Sequence, residues 1–217
     1  MTKEKLLKKD LFGEVWVLTS QDGRAIVRDT APAPGWTRWL ARALLRREAR
    51  VLRAVSGIAD VPRIERVARD RLERAYIDGA PMQEARPDDP AFFRAAARLL
   101  RRLHAANVVH NDLAKEPNIL VQPSGRPAFI DFQLAWAAPR RNALFRLLAY
   151  EDLRHLLKHK RTYCPQELTA RERQILSNPS LPSRAFRRTV KPLYLLITRR
   201  LLGWSDREGA ADRGRLP

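Results

Sequence analysis

The stretch VVHNDLAKEPNIL, residues 108–120, places a polar loop between two short apolar runs, and a third run, PAFIDF (127–132), follows it. Apolar runs this short, bounded by turn residues, read as strands. The polar residues then stand at strand ends: Asp112 lies in the loop, Asn118 closes it, and Asp131 follows PAFI. A chain that forms this hairpin brings two carboxylates and an amide to one end of it. Asn and Asp are also ordinary turn formers, which is the simplest account of the loop in isolation. The alternative is chemical. Mg2+ takes few carboxylates and completes its shell with phosphate oxygens. Phosphoryl transfer needs such an ion, together with a carboxylate to accept the proton of the attacking hydroxyl.

The rest of the chain supplies an α+β setting for this loop. GEVWVLTSQDGRAIVRD (13–29) reads as a hairpin turning at Asp22-Gly23, with KLLKKDL (5–11) as a strand before it. After the proline-rich break TAPAPG, residues 36–55 have helical spacing, with Leu40, Ala43, Leu44, Val51 and Leu52 as the apolar stripe. Residues 61–79 read as two short strands. Residues 89–108 read as a helix capped by Asp89, with Pro90 at its first position and Phe93, Ala96, Leu99, Leu100 and Leu103 facing inward. Helices are also expected over 142–160, 166–176 and 184–203. Gly and Pro concentrate near 79–88, which divides the chain into a strand-rich part, 1–79, and a mostly helical part, 80–217.

Charge narrows the partners. Forty-two Lys and Arg against 24 Asp and Glu give a net charge of +18. The excess of base fits a polyanionic neighbour: nucleic acid, anionic lipid headgroups or a phosphorylated acceptor. Coding bias towards arginine explains Arg in place of Lys but not the excess over acids. Few aromatic groups fall outside the expected core, so nucleic acid is the weakest of these partners. Cys164 is the only cysteine, and the charged opening MTKEKLLKKD leads into no apolar signal core. Both features lead us to expect a reducing, cytoplasmic setting. The segment RRTVKPLYLLITRRLLGW (187–204) carries leucines between arginines. It suits either a helix lying at the inner face of an anionic membrane or one packed as core.

Taken in order, the motifs resemble the protein-kinase-like superfamily. HNDLAKEPN is similar to its catalytic loop and DFQ (131–133) to its metal-binding DFG motif. LFGEVWV (11–17) resembles the end of the phosphate-covering glycine loop, and AIVR (25–28) the strand that carries the phosphate-pairing lysine. Glu48 stands in the first helix, where the family keeps that residue's ion-pair partner. AYIDG (75–79) resembles the hinge, and AYEDLRHLL (149–157) the helix whose aspartate, here Asp152, steadies the catalytic loop. The resemblance spans roughly residues 8–160 and implies a two-lobed kinase-like fold with a small strand-rich N-lobe and a reduced helical C-lobe. It further implies ATP and Mg2+ as cofactors and Asp112 as catalytic base. Asn118 and Asp131 would be metal ligands, and Gly13, Arg28, Glu48, Tyr76 and Ile77 would serve nucleotide binding. His110 would be a packing residue under Asp131.

The departures are as informative. Lys8 and Asp10 stand where glycines are usual, leaving Gly13 alone. Arg28 replaces the lysine, keeping the charge but not the shape, and Lys115 is placed to reach the transferred phosphate. Asp112 and Asn118 are six apart, one more than usual, so the extra residue is expected to bulge before Pro117. Gln133 replaces the mobile glycine of the DFG motif, and Asn111 replaces the arginine that reads a phosphorylated activation loop. Only LAWAAPRRN separates DFQ from the next helix, which leaves no peptide platform. These features are similar to RIO-type and Bud32-type atypical kinases and to bacterial kinases of lipopolysaccharide core sugars. They imply a protein Ser/Thr or sugar hydroxyl as acceptor. A pseudokinase and an RNA- or ribosome-associated RIO-like protein are the alternatives.

Overall fold

Alternating β-formers from the N-terminus build one antiparallel sheet, seen in a computed structural model that describes residues 3–21 and 23–178. Its strands are β1 (Lys3–Asp10), β2 (Gly13–Ser20), β3 (Gly23–Asp29), β4 (Ile64–Val67) and β5 (Arg71–Ala75), in the order β1-β2-β3-β5-β4. The expected hairpin over 13–29 is present, with Ser20 opposite Gly23; Asp22 lies outside the described residues. Gly13 has φ +115°, and a Cβ there would collide with the Asp29 carbonyl oxygen, so the close approach of β2 to the end of β3 requires glycine.

Helix α1 (Gly35–Ala54) packs across the sheet. Its buried face is Thr37, Ala41, Leu45, Glu48, Ala49, Val51 and Leu52. This corrects the expected stripe: Leu40 and Ala43 are exposed. The N-terminal half of α1 is apolar on two faces, and periodicity alone does not choose between them. Thr37 decides it, because its hydroxyl donates to the Leu11 carbonyl at 2.6 Å and turns its own side of the helix to the sheet.

Past the strand β6 (Ala80–Pro81) and the single turn α2 (Met82–Ala85), helix α3 (Pro90–Ala105) starts as expected. Asp89 accepts the Ala91 N–H at 2.7 Å, Pro90 occupies the first turn, and Phe93, Ala96, Leu99, Leu100 and Leu103 are buried. Short strands follow: β7 (Val108–Val109), β8 (Ile119–Val121), β9 (Pro127–Phe129) and β10 (Trp136–Ala137). β8 pairs antiparallel with β6 and β9, and β10 with β7. Helix α4 (Ala143–Tyr163) is capped by Asn142, which accepts the Phe145 N–H at 2.8 Å, and α5 (Ala170–Ser177) by a Thr169–Glu172 capping box. One apolar core joins the two parts, running from Leu45, Leu52 and Leu72 through Leu99 and Leu103 to Leu113, Phe129 and Phe132. The expected helix over 184–203, with its basic membrane-facing segment, lies outside the described residues. Among the described residues no helix is long and apolar enough to cross a membrane.

Candidate active site

Sheet register places the first half of the site. Arg28 on β3 pairs with Leu72 on β5, and Ile26 with Arg74, so the period of two puts both arginines on the face that α1 covers. Glu48, on the buried side of α1, meets both. Its Oε2 lies 3.3 Å from Arg28 Nε, and its Oε1 accepts from Arg74 Nη1. Arg28 also reaches forward, with Nη2 3.7 Å from Asp131 Oδ1. The expected Arg28–Glu48 pair is therefore formed, with a second guanidinium that sequence reasoning missed. An arginine in an alternating strand reads as solvent-facing. The available signal was its parity with Leu72, the buried residue of β5. Burial, then the neighbouring Arg28 charge, lowers Arg74 to about 10, while Asp131 pulls the other way. Arg28 Nε, Glu48 Oε2 and Asp131 Oδ1 are buried without a hydrogen-bond partner.

The hairpin β8–β9 places the second half. Ile119 pairs with Phe129, and the Ile130 N–H donates to the Asn118 carbonyl at 3.0 Å, so Asn118 and Asp131 share one end of the hairpin. Asn118 Nδ2 donates to the Asp112 carbonyl and to Asp112 Oδ2, both at 2.9 Å. Lys115 Nζ lies 3.1 Å from the same Oδ2. The additional loop residue is absorbed by two successive turns: Lys115 N–H donates to the Asp112 carbonyl, and a 3-10 turn over Glu116–Asn118 follows. The loop thus keeps the Asp112–Asn118 contact at its greater length. Burial pushes the Asp131 carboxyl up, but Arg28 and Arg74, helped by His110 and Lys115, outweigh it and hold the group below the usual carboxylate range.

Helix α4 holds this loop through three side chains, Asp152, His159 and Tyr163. Asp152 accepts the backbone N–H of His110 at 2.7 Å and of Asn111 at 2.9 Å, as the sequence led us to expect. His159 Nε2 donates to the Leu113 carbonyl at 2.7 Å, and Tyr163 donates to Glu116 at 2.8 Å. These last two were not legible, because one partner is a backbone carbonyl and the other, Glu116, lies inside the catalytic-loop motif at a position to which the sequence assigned no role. Asn111 (φ 63°) and Asp131 (φ 59°) both adopt left-handed backbone, a conformation that Asn and Asp hold more readily than other non-glycine residues.

His110 is fully buried, donates from Nε2 to the Ile130 carbonyl at 3.0 Å, and lies 4.7 Å from the Phe132 ring centre. It is the packing residue expected. Phe132 itself is fully buried. Beyond it, Arg47 on α1 donates to the carbonyls of Ala135 at 2.7 Å and Leu134 at 2.8 Å. Then β10 leads directly towards α4, so no long segment intervenes.

Burial lowers His110, and lowers His155 on α4 from 6.5 to about 4. A histidine depressed in the folded state binds more protons when unfolded, so stability rises with pH across that window. Stability is therefore lost as the pH falls from about 6.5 towards about 4. Chemical denaturation at pH 7 and pH 5 should show the loss, and His155→Gln should flatten it. An unchanged slope in that variant would remove His155 from this account.

At the hinge, the Tyr76 N–H donates to the Arg24 carbonyl at 3.1 Å, and the Arg24 guanidinium lies 4.1 Å from the Tyr76 ring centre. Tyr76, Ile77 and Asp78 line a cavity of about 430 Å³ with Val61 and Gln122. Gly79 ends the segment where a Cβ would sit 2.9 Å from the Val121 carbonyl oxygen. In the β1–β2 turn, Asp10 accepts the Phe12 N–H at 2.8 Å and pairs with Lys8 at 3.5 Å, so this aspartate shapes the turn together with Gly13.

The donor set fits Mg2+ and a nucleotide phosphate. Among the described residues no three His, Cys, Asp or Glu side chains form a closed metal cage. One carboxylate, Asp131, and one amide, Asn118, share a hairpin end instead. That pattern suits an ion whose other ligands are phosphates and water.

The sequence matches no protein-family model and no curated protein. Among solved structures, the chain is similar to the crystal structure of the Rio2 kinase from Chaetomium thermophilum. The TM-score is 0.61 at 15% sequence identity, over 94% of this chain and 73% of that one. The fold is protein-kinase-like, with a strand-rich N-terminal sheet and a helical C-terminal part.

Proposed function

We propose that this protein is an atypical ATP- and Mg2+-dependent kinase that transfers the γ-phosphoryl group to a hydroxyl of a protein or of a lipopolysaccharide core sugar. Residues 1–79 would be its N-lobe and 80–217 its C-lobe. The observation that carries the reading is the row Arg74–Glu48–Arg28–Asp131, which ends in a buried carboxylate oxygen without a hydrogen-bond partner. A buried carboxylate oxygen that has an ion-pair contact but no hydrogen bond is costly unless a ligand completes it.

Asp131 and the amide oxygen of Asn118 would hold Mg2+, which when bound neutralises charge on the phosphates. Arg28, anchored by Glu48, would pair with those phosphates, with Tyr76 and Ile77 bordering the nucleotide and Gly13 closing the turn above it. Asp112 would accept the proton of the acceptor hydroxyl. Both Asn118 and Lys115 bind its Oδ2, which fixes the carboxylate and leaves Oδ1 for the proton. Lys115 sits close enough to Asp131 to act on its charge and is placed to meet the transferred phosphoryl group.

The test is transfer from labelled ATP by the purified full chain, with and without Mg2+, into extract separated into protein, lipid and RNA pools. Asp112→Asn should lower turnover by about 10²–10⁴-fold, the range for loss of a general base, with ATP affinity kept. A chain that neither binds nor turns over ATP with Mg2+ or Mn2+ sinks the proposal. Binding without transfer would instead make it a nucleotide-binding pseudokinase.

A further inference from the structure

Helix α1 has a second face that is not packed against the sheet or the core among the described residues. Trp36 is 65% exposed, Trp39 69% and Leu40 36%. With Ala43, also exposed, they recur at spacings of three and four, so they form one ridge on the side away from the sheet. Leu134, 42% exposed, adjoins it, because its carbonyl is held by Arg47, one turn beyond Ala43. Exposed indole rings of this size are unusual on a soluble surface, and a contiguous apolar patch marks a contact site.

The charges along the same helix say what the contact is. Arg46, Arg50 and Arg53 are exposed on its C-terminal half, and the helix's single acid, Glu48, is buried against the sheet. Every exposed charge on α1 is therefore positive. Tryptophan and leucine beside arginines, with no acid among them, is the composition of a helix lying in a lipid headgroup layer. The ridge also carries the aliphatic side chain of Leu40, continued by Leu134, which suits acyl chains, whereas a single-stranded nucleic acid would use only the rings and the arginines.

We propose that the outer face of α1, Trp36, Trp39, Leu40 and Ala43 with Arg46, Arg50 and Arg53, is a docking surface for an anionic lipid bilayer. The surface is separate from the phosphoryl-transfer site and does not rest on that reading. Leu134 lies three residues after Asp131, so a docked bilayer would border the catalytic edge.

The test is co-sedimentation of the full chain with vesicles of phosphatidylcholine alone and of phosphatidylcholine with phosphatidylglycerol at about 3:1. Binding should require the anionic lipid and weaken with salt. Trp36→Ala/Trp39→Ala should weaken it about tenfold or more, with unchanged melting temperature and ATP binding. Arg46→Gln/Arg50→Gln/Arg53→Gln should reduce both the affinity and its salt dependence. Vesicle binding unaffected by the tryptophan pair overturns the proposal and moves any lipid contact elsewhere in the chain. A marked fall in melting temperature for that pair also overturns it, since the rings would then be covered by the protein itself. Loss of poly(U) binding rather than vesicle binding would assign the ridge to nucleic acid.

Discussion

Asp131→Asn should reduce Mg2+-dependent ATP turnover by about 10³-fold or more, the scale on which single groups stabilise a transferring phosphoryl charge. The substitution keeps the size of the side chain and its place at the end of β9, so the fold should survive it. What it removes is the charge on Oδ1, which faces Arg28 at 3.7 Å and accepts no hydrogen bond. The Mg2+ concentration needed for half-maximal turnover should rise as well, which distinguishes a lost ligand from a lost base. Asp112→Asn should leave that concentration unchanged. If Asp131→Asn turns over ATP at the wild-type rate, the carboxylate is structural and the assignment of the metal site is wrong.

Glu48→Gln should be the most damaging substitution for stability. Glu48 is fully buried between Arg28 and Arg74, and its neutral replacement leaves two guanidinium groups in the interior with Asp131 alone to balance them. Breaking one side of a buried ion pair costs about 3–5 kcal/mol. For a domain of this size each kcal/mol lowers the melting temperature by about 2–4 °C, so a fall of about 10 °C is expected. The double variant Glu48→Gln/Arg74→Met should recover part of it, because one of the uncompensated charges leaves as well. A double variant less stable than the single one would show that Arg74 is held by something other than Glu48.

Asp131 and Glu48 were both legible in the sequence, and the second guanidinium that Glu48 holds, Arg74, was not. Asp112, Asn118 and Asp131 are set by local chain geometry, a short loop and a hairpin register, whereas Asp152, whose partners lie 41 and 42 residues away, was legible through the resemblance of AYEDLRHLL to a kinase-like helix. Such residues can be read in order along a sequence, and the structure brings Asn118 onto Asp112 and Asp152 onto the loop backbone as that order implied. Arg74 was hidden because no motif the chain resembles holds a second guanidinium there, and its own strand alternates like any half-exposed one. His159 was hidden because it bonds to a backbone carbonyl, which leaves no trace in side-chain type. The expected stripe of α1 failed only in its N-terminal half, at Leu40 and Ala43, because both faces are apolar there at helical spacing, while Val51 and Leu52 are buried as expected. What separates them is a hydroxyl on Thr37 finding a carbonyl in the β1–β2 turn. Gly13 shows the same limit: its neighbour Asp29 lies on another strand, so no motif announces why glycine is required there.

The burial of Phe132 bears on pharmacology. Its ring lies fully inside the core against His110, and the backbone that follows is fastened to α1 through Arg47. An inhibitor that needs this phenylalanine to vacate its place would have to empty a packed site worth about 3–5 kcal/mol and break both arginine contacts. Compounds of that kind should find no foothold here. Selective ligands would have to compete directly for the nucleotide's position, or exploit the cavity behind the hinge lined by Val61, Tyr76 and Gln122.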